Sequence, residues 1–368
     1  MGPNLVGLAI PGFFAGILVE LGVAKLKGRK VYRLGDAMGD MGCGIAQQLV
    51  GLLFATAAMT GAYEWLYGHR LWTLPTTWLP WVAALVGVEV AYYWWHRLSH
   101  EVNLLWAAHV VHHHSEDYNL AVALRQSVTT WATSLPFYLP LAWLGVPTFH
   151  FAVVLALTTL YQFWIHTELV PPLGFLEKWI NTPALHRVHH AINPRYLDKN
   201  HAATFSVLDR LFGTWQPEEE PCVYGTTRPI NSFNPLWAQV ETYVDLVRLA
   251  AKAPSVGQAL KVFFASPAWR PAWMGEAEKR DFARKYQPAA SAGVRAYAFA
   301  QWVLLLGGVF SFLMWGRALG PAPFWAAVGL IALSLASLPS LVEGKRWARP
   351  LEGLRLVAVA ALVPLLLA

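Results

Sequence analysis

Long apolar segments, separated by polar loops, recur along most of this chain. A helix needs about 20 predominantly apolar residues to cross the hydrocarbon core of a bilayer. Eight segments approach that length, at residues 5–23, 45–66, 78–95, 128–144, 149–165, 296–314, 324–341 and 354–367. The fourth contains Pro136 and Pro140, which predict a kinked or only partly inserted helix. The pattern predicts an all-α integral membrane protein built as a multi-span helical bundle.

The composition agrees with this prediction. Of the 368 residues, 56% are hydrophobic and 14% are charged, whereas soluble domains carry about 25% charged residues. The 19 tryptophans suit a protein with two water–lipid interfaces, where indole rings lie at headgroup level. Cys43 and Cys222 are the only cysteines, which excludes a disulfide framework and a cysteine-rich zinc site. A metal in this chain must therefore be bound by His, Asp or Glu.

The basic residues predict an orientation. Lys and Arg concentrate in residues 25–33, 167–294 and 345–349, whereas Arg70 and Arg317 stand almost alone in the alternate loops. With eight spans threaded in order, every basic loop falls on one side, which the positive-inside rule assigns to the cytoplasm. This topology accounts for the net charge of +6, so we expect no nucleic-acid partner.

The same pattern divides the chain into three regions. Residues 1–76 are predicted N-terminal spans, and the first is expected to be retained because no basic segment precedes it. Residues 77–294 form the predicted catalytic region. Its part 167–294 is the only substantial aqueous portion, expected to form irregular segments and short helices that cap the bundle. Residues 295–368 are predicted C-terminal spans.

The 13 histidines are clustered rather than scattered. His96 and His100 form H-x-x-x-H at the end of the third apolar segment, where an i, i+4 pair lies on one helical face. The pattern H-x-x-H-H then occurs twice, and a further histidine ends the fifth segment. The nine candidate metal ligands are His96, His100, His109, His112, His113, His166, His186, His189 and His190. On the predicted topology all nine lie at the cytoplasmic face.

Imidazole nitrogens suit iron, zinc and copper better than Mg²⁺ or Ca²⁺. Nine histidines are too many for one ion, whereas two octahedral ions offer about twelve positions and leave room for water, a bridging oxygen and dioxygen. The sequence therefore predicts a cytoplasmic, histidine-rich cap that binds two metal ions. His69 and His150 lie on the opposite side and are not expected to bind metal. His114 and His201 lie near the site but outside the pattern, either as hydrogen-bonding partners of ligands or as bystanders.

Other catalytic motifs are missing from the sequence. His100 and Glu101 begin H-E-x-x-H, but Leu104 stands where a zinc protease needs its second histidine. There is no G-x-S-x-G, no P-loop and no dinucleotide fingerprint, so electrons must come from a diffusible or protein donor. Glu101 and Glu168 adjoin candidate ligands, either to hydrogen-bond with them or as solvated helix ends.

The histidine patterns resemble those of the fatty acid hydroxylase and sterol desaturase superfamily of membrane di-iron oxygenases. The sequence between them is similar to the alkylglycerol monooxygenase family within that superfamily. The segments that carry the resemblance are residues 93–103, 115–120, 123–127, 161–168, 181–183, 186–190, 198–200 and 212–214. Similarity extends over about residues 36–266 and is weaker in the three C-terminal spans.

This resemblance implies oxidation of an ether lipid at the carbon next to the glyceryl oxygen, after which the hemiacetal falls apart into a fatty aldehyde and glycerol. It implies two iron ions held by the nine histidines named above, with His166 as the ninth, and a tetrahydropterin as electron donor. The chain departs from the family at His201, where these enzymes usually have tyrosine. The resemblance therefore supports the substrate and the electron donor less directly than the metal site.

The resulting hypothesis is a membrane di-iron monooxygenase that takes its lipid substrate from the bilayer and uses dioxygen. Two alternatives stay open. One is hydroxylation or desaturation of another lipid, such as a sterol, a fatty acyl chain or an amino-acid-containing lipid. The other is a non-catalytic membrane protein that binds or transports metal, although ligands at one end of the spans favour the enzyme. The residues predicted to line a lipid groove, or else an ordinary interface belt, are Trp94, Trp95, Tyr161, Phe163 and Trp164.

Overall fold

The computed structural model describes residues 5–275, 282 and 284–367. This part of the chain contains no strand, only an isolated bridge between Ala191 and Tyr224. Its α-helices, in chain order, are α1 (Leu5–Leu26), α2 (Leu34–Val50), α3 (Thr56–Gly68), α4 (Leu79–Glu101), α5 (Asn103–His113), α6 (Thr130–Trp143), α7 (Thr148–Trp164), α8 (Pro183–His190), α9 (Val207–Leu211), α10 (Pro235–Ala238), α11 (Glu241–Ala251), α12 (Val256–Phe264), α13 (Ala292–Trp315), α14 (Pro321–Val342) and α15 (Ala348–Leu367). Short 3-10 helices lie at Val122–Leu124, Gly174–Lys178, Ala272–Met274 and Gly316–Ala318. The predicted all-α architecture is confirmed.

Four helices in the described ranges are long and apolar enough to cross a membrane. They are Ala9–Leu26, Leu34–Gly68, Ala292–Ala318 and Pro321–Val342, which correspond to the first, second, sixth and seventh predicted spans. The second begins at Leu34 rather than at residue 45, and a π-helical turn at Gly51–Ala55 joins α2 and α3 into one continuous helix that ends at Gly68. Asp36 and Asp40, which broke the apolar pattern, are buried within it.

The other four predicted spans coincide with helices that do not meet this standard of length and hydropathy. α6 has 14 residues and α7 has 17. At a rise of about 1.5 Å per residue they reach about 21 and about 26 Å, less than the roughly 30 Å of hydrocarbon. α4 has 23 residues, but its C-terminal half carries buried polar side chains, and α15 carries a buried Glu352–Arg355 ion pair. The eight-span count therefore stays a prediction.

Two apolar cores hold the bundle together. One lies between α2, α13 and α14, with the buried side chains of Met38, Trp302 and Leu338. The other joins α3, α4, α6 and α7, and includes the stacked rings of Tyr63 and Phe151, whose centroids lie 4.2 Å apart. The second core therefore holds together α4 and α7, the two long helices whose C-terminal ends lead to candidate ligands.

Short helices and irregular segments fill residues 165–275, as the sequence predicted. α8 begins after Thr182, whose hydroxyl accepts a hydrogen bond from the Leu185 backbone N–H and caps the helix. α11 and α12 pack against α5, and the Asn103 side chain donates to the Val262 carbonyl over 2.8 Å. This cap places α8 beside α5, at the C-terminal ends of α4 and α7.

Candidate metal centre

All nine histidines that the sequence singled out lie together in the folded chain, and all are buried. They form two groups, and within each group the candidate donor nitrogens lie within 4.8 Å of one another. The first histidine group consists of His96, His100, His109, His113 and His189, and the second histidine group consists of His112, His166, His186 and His190. A single site thus receives side chains from α4, α5 and α8, together with His166, which follows α7.

Helical spacing explains which two histidines of each H-x-x-H-H pattern enter the same group. Residues i and i+4 face the same way on a helix, so His109 and His113 of α5 enter the first histidine group together. His112, between them, turns toward the second histidine group. α8 repeats this arrangement with the groups exchanged, since its i, i+4 pair enters the second group and its middle histidine enters the first. Both helices therefore contribute to both groups.

The Nε2 atoms face one another within each group. In the first histidine group, the Nε2 atom of His109 lies 2.9 Å from that of His96 and 3.1 Å from that of His113. In the second, the Nε2 atoms of His112 and His166 lie 3.2 Å apart. Imidazoles bind divalent metals at about 2.1 Å, so neighbouring ligands of one ion have donor atoms roughly 3 Å apart.

On four of the nine rings the other nitrogen, Nδ1, lies against a backbone carbonyl. The pairs of Nδ1 and carbonyl oxygen are His96 with His201 (2.7 Å), His112 with Arg125 (3.0 Å), His166 with Gln162 (2.7 Å) and His189 with Lys199 (3.0 Å). A carbonyl only accepts, so the ring proton belongs on Nδ1 and donates to it. The Nε2 atom then keeps a free lone pair, which is the tautomer that binds metal.

Several buried Nε2 atoms fit a bound metal. Those of His100, His189 and His190 have no hydrogen-bond partner in the part of the chain that the structure describes. A buried polar atom left without a partner is unfavourable, and here several such atoms converge. A metal ion in each group would satisfy them together. A donor set made only of imidazole suits iron and gives no preference for Mg²⁺ or Ca²⁺.

Burial keeps these imidazoles neutral. It lowers the pKa of His112 from about 6.5 to about 4, and it lowers the pKa of His113 and that of His190 well below 6.5. Neighbouring imidazoles act in the same direction on His113 and His190, because two nearby positive charges repel. Since only the neutral ring binds metal, the site is in its binding form at neutral pH.

His201 and His114 lie beside the two groups without belonging to either. Both are buried. The His201 ring has its centroid 5.1 Å from that of His100. His114 lines a small cavity together with Asp36 and Tyr286. The structure thus places His201 beside the first histidine group, whereas His114, which follows His113 in sequence, faces a separate small cavity.

Glu101 and Glu168 each form an ion pair with an arginine. The Glu101 carboxylate accepts a hydrogen bond from Arg97 at 2.9 Å, and the Glu168 carboxylate pairs with Arg29 at 2.5 Å. Both side chains of Glu101 and Arg97 are partly exposed. Glu101, at the end of α4, therefore fits the interpretation as a solvated helix end, whereas Glu168 lies beyond the end of α7 and is mostly buried in its ion pair.

The candidate groove residues fall into different environments. Trp95 packs against the site, with its ring centroid 5.5 Å from that of His109. Phe163 instead packs against Phe13 of α1, with centroids 4.6 Å apart, so it belongs to helix packing. His150 lies near the N-terminal end of α7, at the opposite end from the histidine groups, with its ring against Trp81.

A buried ion pair, not recognised from the sequence, supports the second histidine group. Arg125 is 2% exposed and donates to the Asp40 carboxylate at 3.0 Å and to the Val111 carbonyl at 2.6 Å. Its own carbonyl accepts the hydrogen bond from His112. The available signal was the presence of Asp36 and Asp40 in an otherwise apolar segment, where charged residues persist when they are paired.

Fold and site together define an all-helical membrane protein with a histidine-only candidate metal centre. Comparisons with known proteins are consistent with this class. Residues 81–214 match the family model of the fatty acid hydroxylases. The chain is similar to the alkylglycerol monooxygenase of Homo sapiens, with 38% identity over 363 residues, 96% of this chain and 81% of that protein. It is equally similar to that of Danio rerio, with 38% identity over 375 residues, 98% of this chain and 82% of that protein.

A bacterial lipid hydroxylase is more distantly similar. This is the ornithine lipid hydroxylase OlsE of Rhizobium tropici, with 29% identity over 189 residues, 47% of this chain and 53% of that protein. No solved structure gives a significant match.

The chain belongs to the fatty acid hydroxylase family, and it is similar to the alkylglycerol monooxygenases over almost its whole length. It is an oxygen-dependent membrane monooxygenase that acts on lipid, which decides against a non-catalytic metal carrier. The histidine groups and the family together indicate iron as the metal.

Proposed function

We propose that this chain oxidises ether lipids of the alkylglycerol type with two iron ions, one in each histidine group, and that the nine histidines are their ligands. The observation that carries the proposal is the division into five and four buried imidazoles, each set with its donor atoms within 4.8 Å. Two separate sets of converging donors match two ions better than one. Similarity to alkylglycerol monooxygenases supports the choice of substrate.

The reaction is a monooxygenation. When bound, the irons would activate dioxygen, so that one oxygen atom enters a lipid C–H bond and the other leaves as water after uptake of two electrons and two protons. Hydroxylation of the carbon next to the ether oxygen gives a hemiacetal, which falls apart into a fatty aldehyde and a glycerol. The protein holds the imidazoles neutral by burial and orients them through backbone carbonyls.

A tetrahydropterin is the proposed electron donor. The sequence has no dinucleotide fingerprint and no P-loop. Electrons would therefore have to come from outside the chain, from a diffusible donor or a protein partner. The similarity to alkylglycerol monooxygenases supports a pterin over a protein donor, and both are compared in the experiment below.

The histidine side of the bundle is proposed to face the cytoplasm. The first basic loop lies on the histidine side of the bundle, because Arg29 pairs with Glu168, which follows α7, and Arg33 pairs with Asp117, which follows α5, at 2.9 Å. Basic residues mark cytoplasmic loops. We also propose residues 77–294 as the catalytic region between membrane segments 1–76 and 295–368, in keeping with the family match at 81–214.

Cysteine labelling tests the orientation. A Glu219→Cys variant in a Cys222→Ser background places a thiol on a half-exposed side chain of the cap, while Cys43 is buried. A membrane-impermeant maleimide should label this thiol in inside-out vesicles and leave it unlabelled in right-side-out vesicles. The reverse result would overturn the cytoplasmic assignment.

Product analysis tests the activity. Purified protein, with its iron content measured, is supplied with ¹⁸O₂, a tetrahydropterin or a ferredoxin, and a lipid panel. The panel holds an alkylglycerol, its ester counterpart, an ornithine lipid and a sterol. Fatty aldehyde from the ether lipid alone, with pterin, is the expected result, and a His189→Ala variant should form none. Hydroxylated ornithine lipid would favour the second candidate, which the similarity to OlsE supports.

A further inference from the structure

The loop Asp198–His201 lies along one side of the first histidine group. It contacts three of the five members through different atoms. These contacts are the Lys199 carbonyl with Nδ1 of His189 (3.0 Å), the His201 carbonyl with Nδ1 of His96 (2.7 Å) and the Asp198 carboxylate with Nδ1 of His100 (3.6 Å). One short loop therefore orients most of the group.

The conformation of this loop is set by hydrogen bonds. Asp198 and Asn200 both have a φ of 56°, a left-handed conformation that few non-glycine residues adopt and that Asp and Asn tolerate best. The Asn200 amide donates to the carbonyls of Leu185 and Gln216 at 2.9 and 2.7 Å, and its oxygen accepts the Gln216 N–H at 2.8 Å. These hydrogen bonds fix the backbone of the loop.

The buried carboxylate of Asp209 fixes the position of His201 beside the first histidine group. Asp209 accepts the backbone N–H of His201 at 2.7 Å and that of Ala202 at 3.0 Å, and the Thr214 hydroxyl donates to it at 2.8 Å. With its backbone held in this way, the His201 ring lies 5.1 to 5.6 Å, between centroids, from three members of the first histidine group.

The His201 ring is nevertheless poorly satisfied. It is 1% exposed, and neither of its nitrogens makes a well-formed hydrogen bond to any residue that the structure describes, although the Asp198 backbone lies near enough to act on the ring. It also stands outside the five imidazoles whose donor atoms lie within 4.8 Å of one another. A neutral imidazole offers one donor and one acceptor, and an unsatisfied buried pair of this kind points to a polar molecule that binds beside it.

We propose that His201 hydrogen-bonds a small polar molecule held in the first histidine group, and that it is not itself a metal ligand. The inference rests on the proposed metal centre. It gives the loop two functions: its carbonyls orient ligands, and the His201 side chain recognises the molecule that binds next to them. Small anions and water have the size and polarity for such a position.

Azide binding tests this role, because azide is a small anion that binds ferric iron. His201→Phe removes the hydrogen bond and keeps a flat ring, His201→Gln restores a polar side chain, and His150→Phe is the matched control at the far end of α7. Iron per chain, azide affinity from optical titration and oxygen consumed per product are measured for each. His201→Phe should keep its iron, bind azide roughly tenfold more weakly and consume more oxygen per product. His201→Gln should recover much of the azide affinity.

Other results would overturn the inference. Loss of iron from His201→Phe, with His150→Phe unaffected, would make His201 a ligand. Unchanged azide affinity would reduce it to a packing residue. If His201→Phe does not fold, His201→Leu serves as the apolar variant. A wild-type protein without iron would overturn the proposed centre as a whole, whereas normal iron and ether cleavage with unaltered azide binding would refute this inference alone.

Discussion

The imidazole rings of His113 and His190 stack, with centroids 4.4 Å apart and planes inclined by 23°. His113 belongs to the first histidine group and His190 to the second. The two groups are therefore in direct contact through packed rings. A change in one group should be transmitted to the other, because a packed interior deforms little without moving its neighbours.

His112 and His189 test the proposed ligand assignment, because each enters a different group from the other two histidines of its own H-x-x-H-H pattern. His112→Ala and His189→Ala should each reduce activity by roughly 100-fold or more and lower the iron content. Each removes a proposed ligand and disturbs the packing of the neighbouring His113 and His190 rings. Iron is measured by plasma mass spectrometry on purified protein, and membrane insertion by fractionation. His150→Ala should retain both iron and activity. Full activity in either ligand variant would contradict the assignment.

A close approach between α2 and the Val122–Leu124 turn tests the support of the second histidine group. A Cβ on Gly44 would lie 2.4 Å from the Leu124 carbonyl oxygen, next to the residue whose carbonyl holds His112. Gly44→Ala should therefore destabilise the fold by about 1–3 kcal/mol and weaken iron retention. The control is Gly61→Ala on the same continuous helix, where nothing lies within 4 Å of the added carbon. Equal melting temperatures for the two variants in detergent would refute the prediction.

Loss of one partner from the buried Asp40–Arg125 pair should be strongly destabilising. Both side chains are at most 2% exposed. Asp40→Ala leaves a buried guanidinium unpaired and should cost about 3–5 kcal/mol, whereas Asp245→Ala breaks the exposed pair with Arg248 and should change little. Thermal unfolding measures both. A double variant, Asp40→Asn with Arg125→Gln, should lose less stability than Asp40→Ala, and a larger loss would contradict this account.

Metal-free protein should lose stability as the pH falls below about 6.5. Burial lowers the pKa of His112 to about 4, and it shifts the pKa of His113 and that of His190 in the same direction. The unfolded chain then binds protons that the folded chain does not, between about pH 6.5 and pH 4, so acidification favours unfolding through that range. Melting temperatures of chelator-treated protein measure this, and His112→Phe should show a shallower dependence. A melting temperature that rises on acidification would exclude it.

Local sequence pattern was sufficient to predict much of the candidate metal centre. The i, i+4 spacing of His96 with His100, and of His109 with His113, follows from helix geometry alone, and the structure keeps both pairs together. Charge placement also predicted that the first basic loop shares a side with the cap, where Arg29 contacts Glu168. These features depend on residues close in sequence or on their partition between lipid and water.

The division of the histidines into five and four was decided by tertiary packing. His112 and His189 join groups built mainly from other helices, which depends on how α5 and α8 lie against each other. The same holds for Arg125, whose partner Asp40 is 85 residues away, and for the loop that aims His201. Helical periodicity is a local property that a sequence displays directly. The contacts between helices form only when the whole chain has buried its apolar surface, and no short segment encodes them.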